Sequence, residues 1–201
     1  MNQENEKKKI NLFTLGESTV GKSCFIRRFC KDVFSNDYLA TIGFDCLLKD
    51  IKLKNGEILK LNFHDTAGQE KYRSVAFNLI RNADGIFVMY DISKQRTFEA
   101  IDMWIKSVND VKGEDFPKIL IGNKCDLDEE REIQKSQGKE KAEEYKMEFF
   151  ECSNKTNINI KESVMCLVKQ ILNRQNSIDN NNISLSSENT KKEIEKKNCG
   201  C

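Results

Sequence analysis

Eight residues near the start of the chain, GESTVGKS at 16–23, fit the spacing GxxxxGK[ST] and lie between a short apolar run and a helix-like stretch. The glycines let the backbone wrap tightly, so that successive N–H groups from Ser18, Thr19, Val20, Gly21, Lys22, Ser23 and Cys24 converge on phosphate oxygens at a helix N-terminus. Lys22 would meet the terminal phosphates, and the Ser23 hydroxyl would ligate Mg²⁺. A phosphate loop does not identify the base, since ATPases and kinases use it too. The deciding stretch is NKCD at 123–126, directly after an apolar run. The Asp126 carboxylate can accept two hydrogen bonds, from the N1–H and the exocyclic amine of guanine. Adenine offers no such donor pair, and leaving the carboxylate unsatisfied costs about 1–3 kcal/mol or more. The pair of motifs thus selects GTP over ATP.

The elements that must position these residues follow from periodicity. INLFTL at 10–15 reads as a strand, and a helix follows from Gly21 to about Lys31. The segment DIKLKNGEILKLNFHD alternates with period two on both sides of Asn55-Gly56, a hairpin signal. GIFVMYDI at 85–92, KILIGNK at 118–124 and MEFFECS at 147–153 are nearly continuous apolar runs, as parallel strands covered on both faces require. RTFEAIDMWIKSV is helical in pattern. Residues 158–175 carry Ile160, Val164, Leu167, Val168, Ile171 and Leu172 at helical spacing. The expected fold is α/β, a mostly parallel six-stranded sheet with one antiparallel edge strand and helices on both faces. From about Asn176 the composition shifts to Asn, Ser and Lys with few large apolar residues, too little to offset ordering entropy. The expected division is a flexible N-terminus at 1–7, one nucleotide-binding domain at 8–175 and a disordered tail at 176–201.

With 201 residues, 32% charged and a formal net charge of +1, the chain carries no electrostatic signature of nucleic-acid binding. No run approaches the length of apolar residues needed to span a bilayer, and the N-terminus lacks the apolar region of a secretion signal. Asn2 excludes N-myristoylation. Cysteines fall at 24, 30, 46, 125, 152, 166, 199 and 201 without any CxxC pair, so reduced and mostly buried thiols are expected for the first six.

GESTVGKS, TIG, DTAGQE, NKCD and CSNK, in this order and spacing, resemble a Ras-superfamily small GTPase over roughly residues 8–175. The resemblance implies that Thr41 ligates Mg²⁺ and senses the γ-phosphate, and that Asp65 stands behind the Mg²⁺ site. It implies that Gly68 donates its N–H to the γ-phosphate and that Gln69 positions the attacking water. Phe34 falls where a ring packs across guanine, and Tyr38 falls on the same nucleotide-facing segment. Asn123 would brace the nucleotide loops, and Lys124 would cover the base. Ser153, Asn154 and Lys155 form the last guanine loop. Catalysis would then rest on Gln69, Lys22, Thr41 and Gly68, with Mg²⁺ as cofactor and GTP or GDP bound. No arginine is evident in cis, so slow intrinsic turnover and an activating partner are expected. Loss of the γ-phosphate would release Thr41 and Gly68 and relax both loops. An ATP-dependent enzyme is argued against by Asp126. A tethered module that binds GTP without hydrolysing it is argued against by Gln69 and Thr41.

The ending NCGC has Asn198 where a CaaX box needs cysteine, and Cys199 with Cys201 instead resembles the doubly geranylgeranylated CxC of Rab proteins. One lipid binds membranes marginally and needs a second signal. From Arg174 onward there are five basic and four acidic residues, so the second lipid rather than a polybasic patch would supply it. A Rab resemblance implies effectors, a guanine exchange factor, a GTPase-activating protein, a GDP-dissociation inhibitor and a prenylation escort. It also implies cycling between cytosol and the cytoplasmic face of an intracellular membrane in vesicle trafficking. The chain departs from the family at three positions usually aromatic, here Cys46, His64 and Leu79, which predicts an unusual effector surface. His64, the lone histidine, alternates with the polar residues of LKLNFH, away from the apolar face, and an exposed imidazole there could titrate near neutral pH. Its neighbour Asp65 is accounted for by Mg²⁺, so no chemistry is expected of the ring. Asn154 replaces the usual Ala and is expected to crowd the base, giving faster nucleotide release than Asn154→Ala. Thr19 stands where Gly is common and restricts the loop.

Overall fold

The structure, a computed structural model, describes residues 8–34, 45–65 and 80–177. Six strands, β1 (Lys9–Leu15), β2 (Asp45–Lys52), β3 (Ile58–Asp65), β4 (Gly85–Asp91), β5 (Lys118–Asn123) and β6 (Glu148–Cys152), form one sheet in the order β2-β3-β1-β4-β5-β6. All neighbours run parallel except the β2–β3 pair, which is antiparallel and places β2 at the edge. This is the expected six-stranded architecture. The hairpin turns at the predicted Asn55-Gly56. There the Leu53 and Gly56 N–H groups donate to Glu57 O and Leu53 O at 2.8 and 3.0 Å, and Gly56 takes φ 87°, a value open to glycine.

Helices α1 (Lys22–Lys31), α2 (Gln95–Glu99), α3 (Ile101–Lys112) and α4 (Lys135–Glu144), with α5 over 160–177, occupy the crossovers and the chain's last described stretch. The predicted helix through RTFEAIDMWIKSV is divided at Ala100 into α2 and α3. Strand β4 shows why its run is continuously apolar. Phe87 and Met89 join Phe25 and Ile26 of α1 and Val164, Leu167, Val168 and Ile171 of α5 on one face. Ile86 and Val88 join Trp104, Ile105 and Val108 of α3 on the other. Each face therefore needs its own apolar set, and at about 25 cal/mol per Å² these two clusters supply the main stabilisation.

Parallel order has one consequence for function. The carboxyl ends of β1, β3, β4, β5 and β6 share one edge of the sheet, and the loop at 16–21, Asp65, Asp91, Asn123 and Ser153 all lie at or just past those ends.

Candidate functional site at the carboxyl edge of the sheet

The loop after β1 ends at Gly21, whose φ of 98° caps α1 in a left-handed conformation that L side chains avoid. Lys22 turns back over this loop. Its Nζ donates to Gly16 O at 2.9 Å and Glu17 O at 2.8 Å and is almost wholly buried. Burial lowers its pKa to about 8, partly opposed by the negative charges of Asp65 and Glu17. The amine is thus a cation held ready among loop carbonyls, and an arriving anion would favour its charged form. Thr19 adopts φ 66°, so a β-branched residue occupies a left-handed position at a cost of about 1–2 kcal/mol. Lys94 Nζ approaches its Oγ1 at 3.5 Å. Ser23 is half-buried at the start of α1, and Asp65 is buried at the end of β3. Cys24 is half-buried, with its thiol pKa raised by desolvation.

The second loop set converges on the first. Asn123 is fully buried, and its Nδ2 donates to Val20 O at 2.7 Å, 103 residues away in sequence. Ser153 Oγ donates to Asp126 Oδ1 at 2.6 Å and accepts the Thr156 N–H at 3.0 Å, which fixes the carboxylate's rotamer. Lys124, at φ 68°, extends its Nζ to 2.6 Å from Asp91 Oδ2. Asp91 itself is fully buried and takes the Ser93 N–H and Oγ at 3.1 and 2.7 Å. Arg28 of α1 donates from Nε to Asn154 O at 2.7 Å and from Nη2 to Lys155 O at 3.1 Å, and its guanidinium lies 5.8 Å from the Phe34 ring. Asp91 and Arg28 belong to the site yet match none of its sequence motifs. A carboxylate closing an all-apolar strand was the available signal for Asp91. None marked Arg28, because its acceptors are backbone carbonyls.

The predicted residues from Ser18 to Cys24, Asp65, Asn123, Lys124, Asp126, Ser153, Asn154 and Lys155 therefore gather at one sheet edge. Tyr38, Thr41, Gly68, Gln69, Leu79, Cys199 and Cys201 lie outside the described residues. Asn154 departs from expectation: its Nδ2 donates to Gly21 O at 3.0 Å, so the side chain is turned to the phosphate loop rather than against the base.

His64 is also placed differently from the expected exposed imidazole. Its ring is half-buried and stacks on Phe13 with centroids 4.2 Å apart and planes 4° from parallel. Nε2 stands 2.7 Å from Asn62 Nδ2 and 3.3 Å from Asn11 Oδ1, and Nδ1 lies 3.3 Å from Cys46 Sγ, so both ring nitrogens have polar neighbours. Desolvation, with Lys9 adding to it, lowers the ring's pKa and so favours the neutral form. The polar alternation of β3 is real, but its second face is covered too.

The family model for the Ras family matches residues 11–173. The chain is 37% identical over 178 residues to Ras-related protein Rab-10 of Diplobatis ommata, covering 88% of each chain. It is 37% identical over 189 residues to GTP-binding protein ypt2 of Schizosaccharomyces pombe, covering 91% of this chain and 94% of that one. It is 40% identical over 161 residues to Ras-related protein Rab-15 of Rattus norvegicus, covering 80% and 76%. With the mostly parallel six-stranded sheet and the loops gathered at its carboxyl edge, these likenesses establish that the chain belongs to the Ras family and is a Rab-type small GTPase.

Proposed function

We propose that residues 8–175 form a GTPase domain in which the carboxyl-edge cluster binds GTP with Mg²⁺ and hydrolyses it as the timer of a membrane-recruiting switch. The observation that supports this most directly is the joining of the two loop sets: Asn123 Nδ2 on Val20 O ties the base loop to the phosphate loop, and Ser153 Oγ on Asp126 Oδ1 fixes the carboxylate within the base loops. Backbone N–H groups from Ser18 to Cys24 would take the phosphates, with Lys22 supplying charge. Asp126 reads the guanine edge, Lys124 and Phe34 flank the base, and Ser153, Asn154 and Lys155 close over it. Ser23 and Asp65 suit Mg²⁺, since a hydroxyl and a buried carboxylate are hard oxygen donors. The ion neutralises phosphate charge when bound. Thr41 completes that site and, with Gly68, responds to the γ-phosphate, while Gln69 aligns the water.

Effectors, an exchange factor and a GTPase-activating protein act on the domain. The tail at 176–201 carries geranylgeranyl groups on Cys199 and Cys201, added through an escort and extracted by a GDP-dissociation inhibitor. The protein thus cycles between cytosol and the cytoplasmic face of an intracellular membrane. No helix among the described residues is long and apolar enough to cross a membrane. Single-turnover hydrolysis of GTP by the wild type and by Gln69→Leu tests the core of the proposal. Hydrolysis slowed at least tenfold by the substitution is expected, and equal rates would remove Gln69 from the mechanism. Loss of membrane residence by a tagged Cys199→Ser, Cys201→Ser double variant tests the anchor.

A further inference from the structure

Two asparagines from different loops grip two consecutive peptides of the phosphate loop. Asn123 Nδ2 holds Val20 O at 2.7 Å, and Asn154 Nδ2 holds Gly21 O at 3.0 Å. Gly21 O also accepts the Phe25 N–H at 2.9 Å, the first hydrogen bond of α1, so two donors occupy this carbonyl. A Cβ built on Gly21 would collide with both amide nitrogens, which shows how closely the two side chains bracket this residue. Asn154 is itself held: it is 5% exposed, and its own carbonyl receives Arg28 Nε at 2.7 Å.

The direction of the pull matters. A trans peptide sets its C=O and the following N–H antiparallel across a rigid plane. Holding Val20 O therefore aims the Gly21 N–H the opposite way, and holding Gly21 O does the same for the Lys22 N–H. Both donors point away from the asparagines. A loop whose N–H groups already face one centre pays less ordering cost when an anion arrives.

We propose that Asn154 is a positioning residue for the bound nucleotide: through Gly21 O it pre-aims the Lys22 N–H at the phosphates and ties the base loop at 153–155 to the phosphate loop. This rests on the guanine-nucleotide reading above and goes beyond it, because that reading places Asn154 at the base and gives its side chain no role at the phosphate loop. It also reverses the expectation from sequence. A side chain crowding the base would speed release, whereas a clamp slows it.

Release of a fluorescent GDP analogue in the presence of Mg²⁺, chased with excess GDP, tests the clamp in wild type, Asn154→Ala and Asn154→Leu. Ala is the residue this loop usually carries in the family. Leu matches the shape of Asn without its donor. Both variants are expected to release GDP about five- to tenfold faster, the effect of losing one such hydrogen bond. The preference for GDP over IDP should not change, since Asp126 still reads the exocyclic amine. Release by Asn154→Leu at the wild-type rate with Asn154→Ala fast would show packing alone and overturn the clamp. Release from both variants at or below the wild-type rate would overturn it in favour of crowding, and a changed GDP/IDP preference would place the role at the base. A wild type that retains no GDP would overturn the nucleotide reading and the clamp together.

Discussion

Replacing Asp91 by asparagine keeps the side chain's shape and removes the negative charge that Lys124 meets at 2.6 Å. Asp91 is fully buried, and its other oxygen takes the Ser93 N–H and hydroxyl at 3.1 and 2.7 Å. An asparagine oxygen can still satisfy Ser93, but its amide then faces the Lys124 ammonium, donor against donor. Breaking a buried ion pair from one side costs about 3–5 kcal/mol. Here the Lys124 side chain is 28% exposed, so water recovers part of its solvation, and about 1.5–3 kcal/mol is the expected loss. For a domain of this size that lowers the melting temperature by about 3–12 °C. Because Lys124 also belongs to the base loop, GDP release should accelerate alongside the loss of stability. Urea unfolding of wild type, Asp91→Asn, Lys124→Met and the double variant, all with bound GDP, gives the coupling directly. A coupling of about 1.5 kcal/mol or more is expected. A coupling below about 0.5 kcal/mol would refute the reasoning and leave the contact as proximity without energetic weight.

Tyr90 Oη is buried against Gly122 and Gly138 and has no hydrogen-bond partner among the described residues, so Tyr90→Phe should stabilise the protein by about 1 kcal/mol in urea unfolding. A loss of stability would mean that the hydroxyl is satisfied. Burial pushes the Cys152 thiol up to about 12, above its ordinary 9.0, so it stays neutral in the fold while the unfolded chain ionises. Stability tied to this thiol is therefore whole below pH 9 and declines as pH rises from about 9 towards 12. Cys152→Ala, though less stable at pH 8, should show a shallower alkaline loss in pH-dependent unfolding, and an unchanged slope would contradict this.

Much of the site is local in sequence and was therefore legible there. A phosphate loop needs its glycines, Lys22 and Ser23 within eight positions, and NKCD needs its four residues in line, so spacing alone reports both. The continuous apolar runs reported parallel strands for the same reason, as each strand carries its own burial pattern. What escaped depends on pairs distant in the chain. Asp91 and Lys124 meet only because β4 and β5 lie side by side, with Asp91 in register with Asn123. Arg28 acts on the carbonyls of 154 and 155, and carbonyls carry no sequence signal. Asn154 was identified as unusual, yet its rotamer, and with it the sign of its effect, depends on Gly21 lying within reach. Helix α4 went unread because KSQGKEKAEE has almost no apolar stripe. It touches the core through Gly138 and Ala142, small residues that periodicity overlooks.

The polar ladder beside Phe13 has a consequence for folding specificity. Strands β1 and β3 are parallel and joined by a long crossover, so no tight turn dictates how they align. Asn11 lies opposite Asn62 and Phe13 opposite His64, and the amides are zipped in series: Asn62 Nδ2 to Asn11 Oδ1 at 3.0 Å, and Asn11 to Asp84 from both its backbone N–H, at 2.8 Å, and its Nδ2, at 3.3 Å. Sliding β3 by one residue would carry Asn62 and His64 to the face now filled by Leu59, Leu61 and Phe63. It would leave several amides unbonded at about 1–3 kcal/mol each. The asparagines and the histidine thus act as a key that fits one alignment, making the misaligned sheet costly before any nucleotide is bound.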